Sequence, residues 1–437
     1  MMAICCLGCG KGDNGVTEEP VINDPEPVAT DPQTKPIEVY EPKEEPVVTR
    51  HSYTPVILNE TQQAINIKLQ DFSWKLFEEV YTHRKSGINL MVSPISLEVD
   101  LAMFINGLEG ETLKEVLKTL GLENYTKAQI NDFFQTMMTG IEKADEAAIF
   151  KSANSFWYNQ RKTANKDFLT AIQENFAAKT EAVNFGDPQT KDFINYWCAE
   201  QTNNRIPKMV DSTDDFDLFH LMNAVYFKAD WEKEFKKDLT TKQPFYYADS
   251  KTEEIDMMFE NTISTYVESP NLQVTFKPFV DGSFQLVLIL PKEGAKMEDV
   301  ITDVKNFSLS LLTPTDTNVS SRWAEINLYV PKFTSEYTEE NLFEYMANIN
   351  PTLKFAANDM KFFDDALVDI DTSCLQKTFF LMDEKGAEAA AITDIMVKNT
   401  SVGPGPEPIV LRFDRPFFYA IVESQTSCPL FIGYYGR

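Results

Sequence analysis

The stretch "IVLRFDRPFFYAIVE", residues 409–423, is rich in β-branched and aromatic residues, a composition that favours β-strands. Similar stretches bounded by turn residues recur after about residue 215: "LMNAVYFKADW", "LQVTFKPF", "FQLVLILP", "AEINLYVPKF" and "CPLFIGYYG". Before that point, apolar residues recur mostly at helical spacing, as in residues 61–84. Helices followed by strands, without a repeating βαβ unit, predict an α+β fold in one domain.

The first half contains several start signals for helices. Ser93-Pro94 predicts a capped helix that ends near Asn106-Gly107, and Thr112 is positioned to cap another. A short apolar run, residues 89–92, comes just before the first of these. Further helices are expected at residues 125–142, 166–176 and 192–203.

Charge and composition exclude several function classes. The 437-residue chain has a formal net charge of −27 and no long basic run, which disfavours nucleic acid and heparin-type polyanions as partners. The cysteines Cys198, Cys374 and Cys428 are far apart and are expected to be isolated buried thiols. No metal-ligand spacing is present, so no metal or other cofactor is expected. None of the three histidines lies in a catalytic motif, and His220 is expected to be a packed or capping residue.

The N-terminal residues indicate a surface-attached protein. Residues 1–9 resemble part of a bacterial lipoprotein signal, which would make Cys9 the lipidated residue; a frayed terminus is the alternative. Residues 10–57 are acidic and proline-rich, which predicts a disordered tether. We therefore expect an extracellular or cell-envelope location, as in a bacterial outer-membrane lipoprotein, with membrane contact only through the lipid.

Four motifs resemble those of the serpin family, and the resemblance spans residues 58–437. They are "NLMVSPISLEVDLAMFINGLEGET", "INYWCAEQTNNRIPKMV", "NAVYFKADWEKEF" and "LRFDRPFFYAI", in the order in which that family has them. The resemblance implies a monomer with three β-sheets, eight or nine helices and an exposed reactive-centre loop at about residues 384–408.

The segment "DEKGAEAAAITDIMVKNTS", residues 383–401, would be this loop, although its local propensity favours a helix. The resemblance implies a reactive bond between Thr400 and Ser401, with the bond between Lys398 and Asn399 as the alternative. The hinge that it implies consists of Glu384, Lys385, Gly386, Ala387, Glu388, Ala389, Ala390, Ala391 and Thr393.

Side-chain alternation tests whether the segment could become a central strand. If Ala387 faces the core, the inward set is Ala387, Ala389, Ala391, Thr393, Ile395 and Val397, and every charged residue from Glu388 to Lys398 faces outward. No proline interrupts residues 387–399. The pattern is compatible with insertion into a sheet; a surface helix before insertion and a plain flexible loop remain alternatives.

The resemblance also implies two groups of supporting residues. Trp231 and Lys332 match the breach, where the loop first meets the sheet, and Lys332 would pair with Glu384. Ser93, Ser96 and Asn223 match the shutter, a hydrogen-bonded cluster beneath the parting strands, in which Gln376 replaces the usual histidine.

The function that follows from the resemblance is inhibition. The chain would be a suicide substrate that forms a covalent complex with a serine protease, with cysteine proteases as a second class, and it would not be an enzyme. The alternative is a non-inhibitory serpin that acts as a binding or surface protein.

Overall fold

Two layers of β-sheet and eight α-helices make up the part of the chain that the computed structural model describes: residues 2–6, 53–85, 87–307, 319–368, 370, 372–387 and 407–436. The helices are α1 (Glu60–His83), α2 (Pro94–Asn106), α3 (Gly110–Thr119), α4 (Lys127–Glu142), α5 (Lys166–Phe176), α6 (Thr190–Gln201), α7 (Met297–Phe307) and α8 (Leu342–Ile349). The strands are β1 (Met2–Cys6), β2 (Leu90–Val92), β3 (Ile149–Asn159), β4 (Lys179–Val183), β5 (Phe219–Asp230), β6 (Thr241–Tyr246), β7 (Thr252–Glu268), β8 (Leu272–Pro278), β9 (Phe284–Pro291), β10 (Ser320–Pro331), β11 (Phe333–Glu339), β12 (Thr372–Met382), β13 (Gly386–Ala387), β14 (Ile409–Arg412), β15 (Phe417–Glu423) and β16 (Pro429–Tyr435).

The first sheet has a gap between two of its long strands. Its strand order is β11-β12-β1-β5-β3-β4, and the two-residue strand β13 pairs with the end of β5. The short β1 lies between β12 and β5 and runs parallel to both, with Ile4 opposite Leu221 on one side and Cys374 on the other. These two long strands therefore do not pair with each other directly.

The second layer contains nine strands joined through the long strand β7. One part of β7 pairs with β6 and β10, and β14 extends this group, while the last three residues of β7 pair with β8. From β8 the ladder continues through β9, β15 and β16 to β2. With β7 shared between two sheets, the described strands form the three expected sheets, so the predicted α+β architecture is confirmed.

Helix α2 is the centre of the core. Pro94 to Ile105 are all buried, including the polar residues Ser96, Glu98 and Asp100. It packs against β5 of the first sheet and β16 of the second. The helix therefore connects the core directly to the strands that border the gap.

The structure differs from the sequence-based expectations in three places. Strands β3 and β4 lie within the half that was expected to be mainly helical. Helix α3 begins at Gly110, so Thr112 lies inside it, where its hydroxyl accepts a hydrogen bond from the backbone N–H of Ala356 instead of capping the helix. Residues 53–57, which were expected to belong to the tether, pack on the folded domain. Val56 is buried, and the N–H of Thr54 donates to the carbonyl of Ala144.

The isolated cysteines and His220 are packed in the interior. Cys198, Cys374 and Cys428 are buried, and none of the three forms a disulfide. The Nε2 atom of His220 lies 3.2 Å from a carboxylate oxygen of Asp217, and its ring packs on Phe185. The surroundings of these residues are therefore those of packed side chains with a structural role.

A buried carboxyl group on α2 is held in its neutral form. The Ser73 hydroxyl lies 2.8 Å from the carbonyl oxygen of Leu69 and 2.7 Å from Oε1 of Glu98. A hydroxyl has one proton, so both contacts are hydrogen bonds only if Glu98 is protonated and donates one of them. Burial raises the pKa of Glu98 to about 8, against the smaller opposing effect of Ser73. The thiol of Cys428 and, beyond it, the carboxylate of Glu423 face the same region.

Substitution Glu98→Gln is expected to stabilise the protein at neutral pH but not at pH 4. In the native state Glu98 keeps a proton that it loses in the unfolded chain above its unfolded-state pKa. The free energy of unfolding therefore falls by roughly 1.4 kcal/mol per pH unit between about pH 4.5 and 8. The amide of the substituted glutamine can donate to Ser73 without that loss. Urea unfolding at pH 4 and pH 7 should show a gain of about 2–3 kcal/mol only at pH 7. The exposed control Glu123→Gln should show none, and an equal gain at both pH values would contradict the protonated assignment.

Candidate functional site

A tight turn directs the chain from β12 back to β5. After Met382, the carboxylate of Asp383 accepts hydrogen bonds from the N–H groups of Lys385 and Gly386. Gly386 and Ala387 then pair antiparallel with Asp230 and Ala229. A Cβ atom at residue 386 would overlap the carbonyl oxygen of Ala229 and the Cα of Asp230, so only glycine fits. The turn therefore places the first two residues after it on the end of β5.

Trp231 holds this turn in place. It is 1% exposed, its indole N–H donates to the carbonyl of Asp383 over 3.0 Å, and its backbone N–H donates to Lys385 over 2.8 Å. Its ring stacks on Phe279 with centroids 4.4 Å apart. The backbone N–H of Phe235 donates to the carbonyl of Glu384 over 2.7 Å. Three consecutive carbonyl groups of the turn are thus fixed by the segment that follows β5.

Glu384 and Lys332 form an ion pair across the turn. The Lys332 ammonium donates to Oε2 of Glu384 over 2.7 Å, and the carboxylate is 7% exposed while the ammonium side chain is 37% exposed. Burial raises the pKa of Glu384, but the hydrogen bond and charge of Lys332, together with hydrogen bonds from the backbone N–H of Glu384 and from Thr240, outweigh it and keep the pKa below its usual range. Both groups remain charged near neutral pH, so the pair ties the turn to the start of β11.

A second buried pair lies beside Trp231 and was not found from the sequence. Lys277 on β8 donates to Glu260 on β7 and to the carbonyl of Lys233, and both side chains are almost fully buried. Burial lowers the pKa of Lys277 despite the neighbouring carboxylate. Its ammonium also lies 4.2 Å from the ring centroid of Phe235. Because these residues are far apart in sequence and no local motif joins them, no sequence pattern indicates the pair.

Beyond the turn, β5 and β12 separate and leave a gap that no strand among the described residues fills, which we call the slot. It lies between residues 223–228 of β5 and 377–382 of β12, and among the described residues neither strand has a ladder partner on that side. The residues that line the cavity there are Ser93, Ser96, Arg205, Ile206, Val225, Tyr226, Phe227, Gln376, Lys377, Thr378, Phe379, Phe380, Leu381 and Phe431. Strand β13 lies at one end of the slot and β1 at the other.

The structure brings some of the shutter residues together and separates others. Gln376 makes two 2.8 Å hydrogen bonds with the backbone of Ser93, donating to its carbonyl and accepting from its N–H. The Ser93 hydroxyl donates to the carbonyl of Leu430, so it does not cap α2 as expected. Asn223 instead donates to Ser152 and Asn154 on β3. Gln376 pairs with Cys6 of β1, so the predicted cluster is divided between β5 and β12, the two strands that border β1.

The remaining predicted site residues lie outside the described residues: Cys9, Glu388, Ala389, Ala390, Ala391, Thr393, Lys398, Asn399, Thr400 and Ser401. Within the described part of the chain, no helix has both the length and the apolar character needed to cross a bilayer. No group of His, Cys, Asp or Glu side chains in that part is arranged to hold a metal ion.

Comparisons with known proteins agree on one family. The family model "Serpin (serine protease inhibitor)" matches residues 68–436. Antitrypsin of Bombyx mori is 30% identical over 370 residues, which cover 80% of this chain and 89% of that protein. The native structure of the thermophilic serpin tengpin has a TM-score of 0.75 and 26% identity, and the match covers 89% of this chain and 98% of tengpin. Human thyroxine-binding globulin has the same fold at 20% identity, with a TM-score of 0.74 and coverage of 86% and 98%.

Proposed function

Because the chain belongs to the serpin family, we propose that it inhibits serine proteases as a suicide substrate, with residues 388–406 as the segment that a protease attacks. The observation that carries this proposal is the position of β13. Gly386 and Ala387 already pair with β5 at one end of an open slot, directly before the proposed bait. A loop anchored in this way is placed to become an additional strand once it is cut.

The pairing register of β13 supports insertion with the same loop residues facing inward as the side-chain alternation in the sequence predicts. Gly386 lies opposite Asp230 and Ala387 opposite Ala229, so each further residue of the loop would move one residue back along β5. Residues opposite each other in an antiparallel ladder share a face. Ala229 is fully buried, and Val225 and Phe227 pack against the main core. In this register, the alanine-rich positions 389 and 391 would join that buried face.

Strand β1 occupies the other end of the path. It pairs with residues 219–222 of β5, which residues 394–397 of the loop would need. Complete insertion therefore requires β1 to leave the sheet. The loss of its ladder hydrogen bonds offsets part of the free energy that the inserted loop gains. Because β1 is short, the exchange still favours the longer loop strand.

The proposed reaction begins with attack by the protease nucleophile on the reactive bond, which forms an acyl-enzyme and releases a new amino terminus. The freed loop then inserts between β5 and β12 and carries the attached protease toward the β1 end of the sheet. Deacylation stops if this movement displaces the oxyanion-hole donors, because their placement is worth about 3–4 kcal/mol of barrier. The inhibitor residues supply the strand and the slot, while the covalent chemistry belongs to the protease.

Incubation with an elastase-type and a trypsin-type protease is expected to give a complex that survives SDS with at least one of them. Mass spectrometry of the released C-terminal peptide identifies the bond: Thr400-Ser401 for an enzyme that prefers small residues, Lys398-Asn399 for one that requires lysine. A protease inactivated at its nucleophile before mixing is the control and should give no stable complex. If every protease cuts the loop and turns over freely, the chain is a binding or surface serpin instead.

A further inference from the structure

The segment that holds the turn, residues 231–235, rests on a buried ion pair. The side chains of Lys277 and Glu260 are 4% and 5% exposed, and their ammonium and carboxylate groups lie 2.5 Å apart. Burying two charges costs so much desolvation that apolar side chains in their place often give equal or higher stability. The pair therefore points to a role other than the overall stability of the fold.

Lys277 contacts this segment at two points. Its ammonium donates to the carbonyl of Lys233 over 2.8 Å and lies 4.2 Å from the ring centroid of Phe235, within the range of a cation–π contact. An ammonium has three N–H donors, and Glu260 and the Lys233 carbonyl take two of them. One buried charge thus fixes both the backbone and an aromatic side chain of the segment.

Glu260 ties the same segment to β7. One of its carboxylate oxygens accepts from Lys277, and the other lies 3.1 Å from Nζ of Lys233. The Lys233 ammonium also donates to the carbonyl of Asn261 over 2.9 Å. The carboxylate is therefore shared by a lysine on β8 and a lysine in the segment, and it keeps the second partner if the first is replaced.

The same segment holds the turn through its backbone. The N–H groups of Trp231 and Phe235 donate to the carbonyls of Lys385 and Glu384. Lys233, whose carbonyl accepts from the buried ammonium, lies midway between these two donors in the chain. A shift of its peptide group would therefore move both N–H groups away from their acceptors. Since the turn leads directly into β13, such a shift would also loosen the pairing of β13 with β5.

We propose that Lys277 is a positioning residue, which together with Glu260 orients residues 231–235 toward the turn and so keeps β13 on β5. The ammonium acts on the turn through the Lys233 carbonyl and the Phe235 ring. Because β13 is the proposed start of the inserted strand, the functional part of this proposal rests on the proposed function. The positional part concerns the uncut protein and does not depend on inhibition.

The test replaces the pair by neutral side chains of similar size, in the double variant Lys277→Met/Glu260→Gln. Hydrogen exchange of the uncut, full-length protein is followed by mass spectrometry in peptides that contain residues 231–235 and 383–387. Both should exchange at least about tenfold faster than in wild type, because a hydrogen bond from a charged donor is lost. Urea unfolding should nevertheless show that the double variant is as stable as wild type or more stable. The single variant Lys277→Met, in which Glu260 keeps Lys233 as its partner, should show the same local increase.

Lys292→Met is the matched control, since Lys292 forms an ion pair with Glu268 at the other end of β7. It should leave exchange in both peptides unchanged. Unchanged exchange in the double variant, or an increase matched by an equal loss of global stability, would overturn the positioning role.

The functional part has its own measurement. With a protease that wild type traps, the double variant should consume about three- to tenfold more inhibitor per protease inactivated, since insertion would slow with the local opening. Faster exchange without this rise would overturn the functional part alone. If wild type traps no protease, the proposed function fails with that part, and the exchange result still decides whether Lys277 positions the turn.

Discussion

Cleavage of the loop within residues 396–401 is expected to raise the melting temperature by roughly 10–20 °C. After the cut, residues 388–393 can pair with edges of β5 and β12 that have no partner in the slot among the described residues, and residues 394–397 can replace β1. New ladder bonds at about 1 kcal/mol each give a gain on the order of 10 kcal/mol before the loss of β1 is subtracted. Each kcal/mol shifts the melting of a large domain by about 2 °C.

Differential scanning calorimetry of intact and cut protein measures this gain directly. If the proposed mechanism holds, the uncut chain should melt earlier, because its slot has no strand among the described residues and its native state would be a kinetic trap. A protein nicked instead between residues 249 and 252, in the turn between β6 and β7, provides a control that has the same number of cuts but no free loop. A cut loop that leaves the melting temperature unchanged would mean that the loop does not insert.

Substitution Ala387→Arg is expected to convert the inhibitor into a substrate. Position 387 lies opposite the fully buried Ala229, and opposite residues of an antiparallel ladder share a face. An arginine there would place an unpaired charge on that buried face, so we expect it to displace Ala387 from β5 in the uncut protein and to oppose pairing again on insertion, at a cost of several kcal/mol. Since each 1.4 kcal/mol changes a rate tenfold, insertion should slow by a factor of about 100 or more and lose to deacylation.

The measurement is the number of inhibitor molecules consumed per protease molecule inactivated. It should rise at least about tenfold for Ala387→Arg, with the loop cut but few covalent complexes formed. Glu388→Arg is the matched control, since residue 388 would lie opposite the half-exposed Lys228 on the other face and already carries a charge. If the two variants inhibit equally well, the predicted phase of the inserted strand is wrong.

Much of the fold could be predicted because its signals are local. The stretch 409–423 forms β14 and β15, and the helices predicted at 61–84 and 166–176 appear within one residue of their expected bounds. Strands β3 and β7 were not predicted because polar residues interrupt their apolar pattern. In the fold, neighbouring strands of the sheets pack beside them. Tertiary contacts override the local pattern in such strands.

For the candidate site, too, some features could be predicted from the sequence and others could not. The family resemblance named Trp231, Lys332 and Glu384, and the structure places all three at the turn. The sequence could not show that Asn223 and Gln376 lie on two strands that do not pair with each other, because strand separation is a property of the assembled sheet. Pairs such as Lys277–Glu260 depend on which strands become neighbours, and one sequence does not contain that information.

The two residues of β13 have a kinetic consequence. Starting an ordered segment is its slow, unfavourable step, and lengthening it is easy. Here Gly386 and Ala387 are already paired with β5, and the turn before them is held by Trp231. If the cut loop inserts as proposed, the new strand would grow from this fixed end. We then expect its rate to depend on how fast β5 and β12 part rather than on a search for the register.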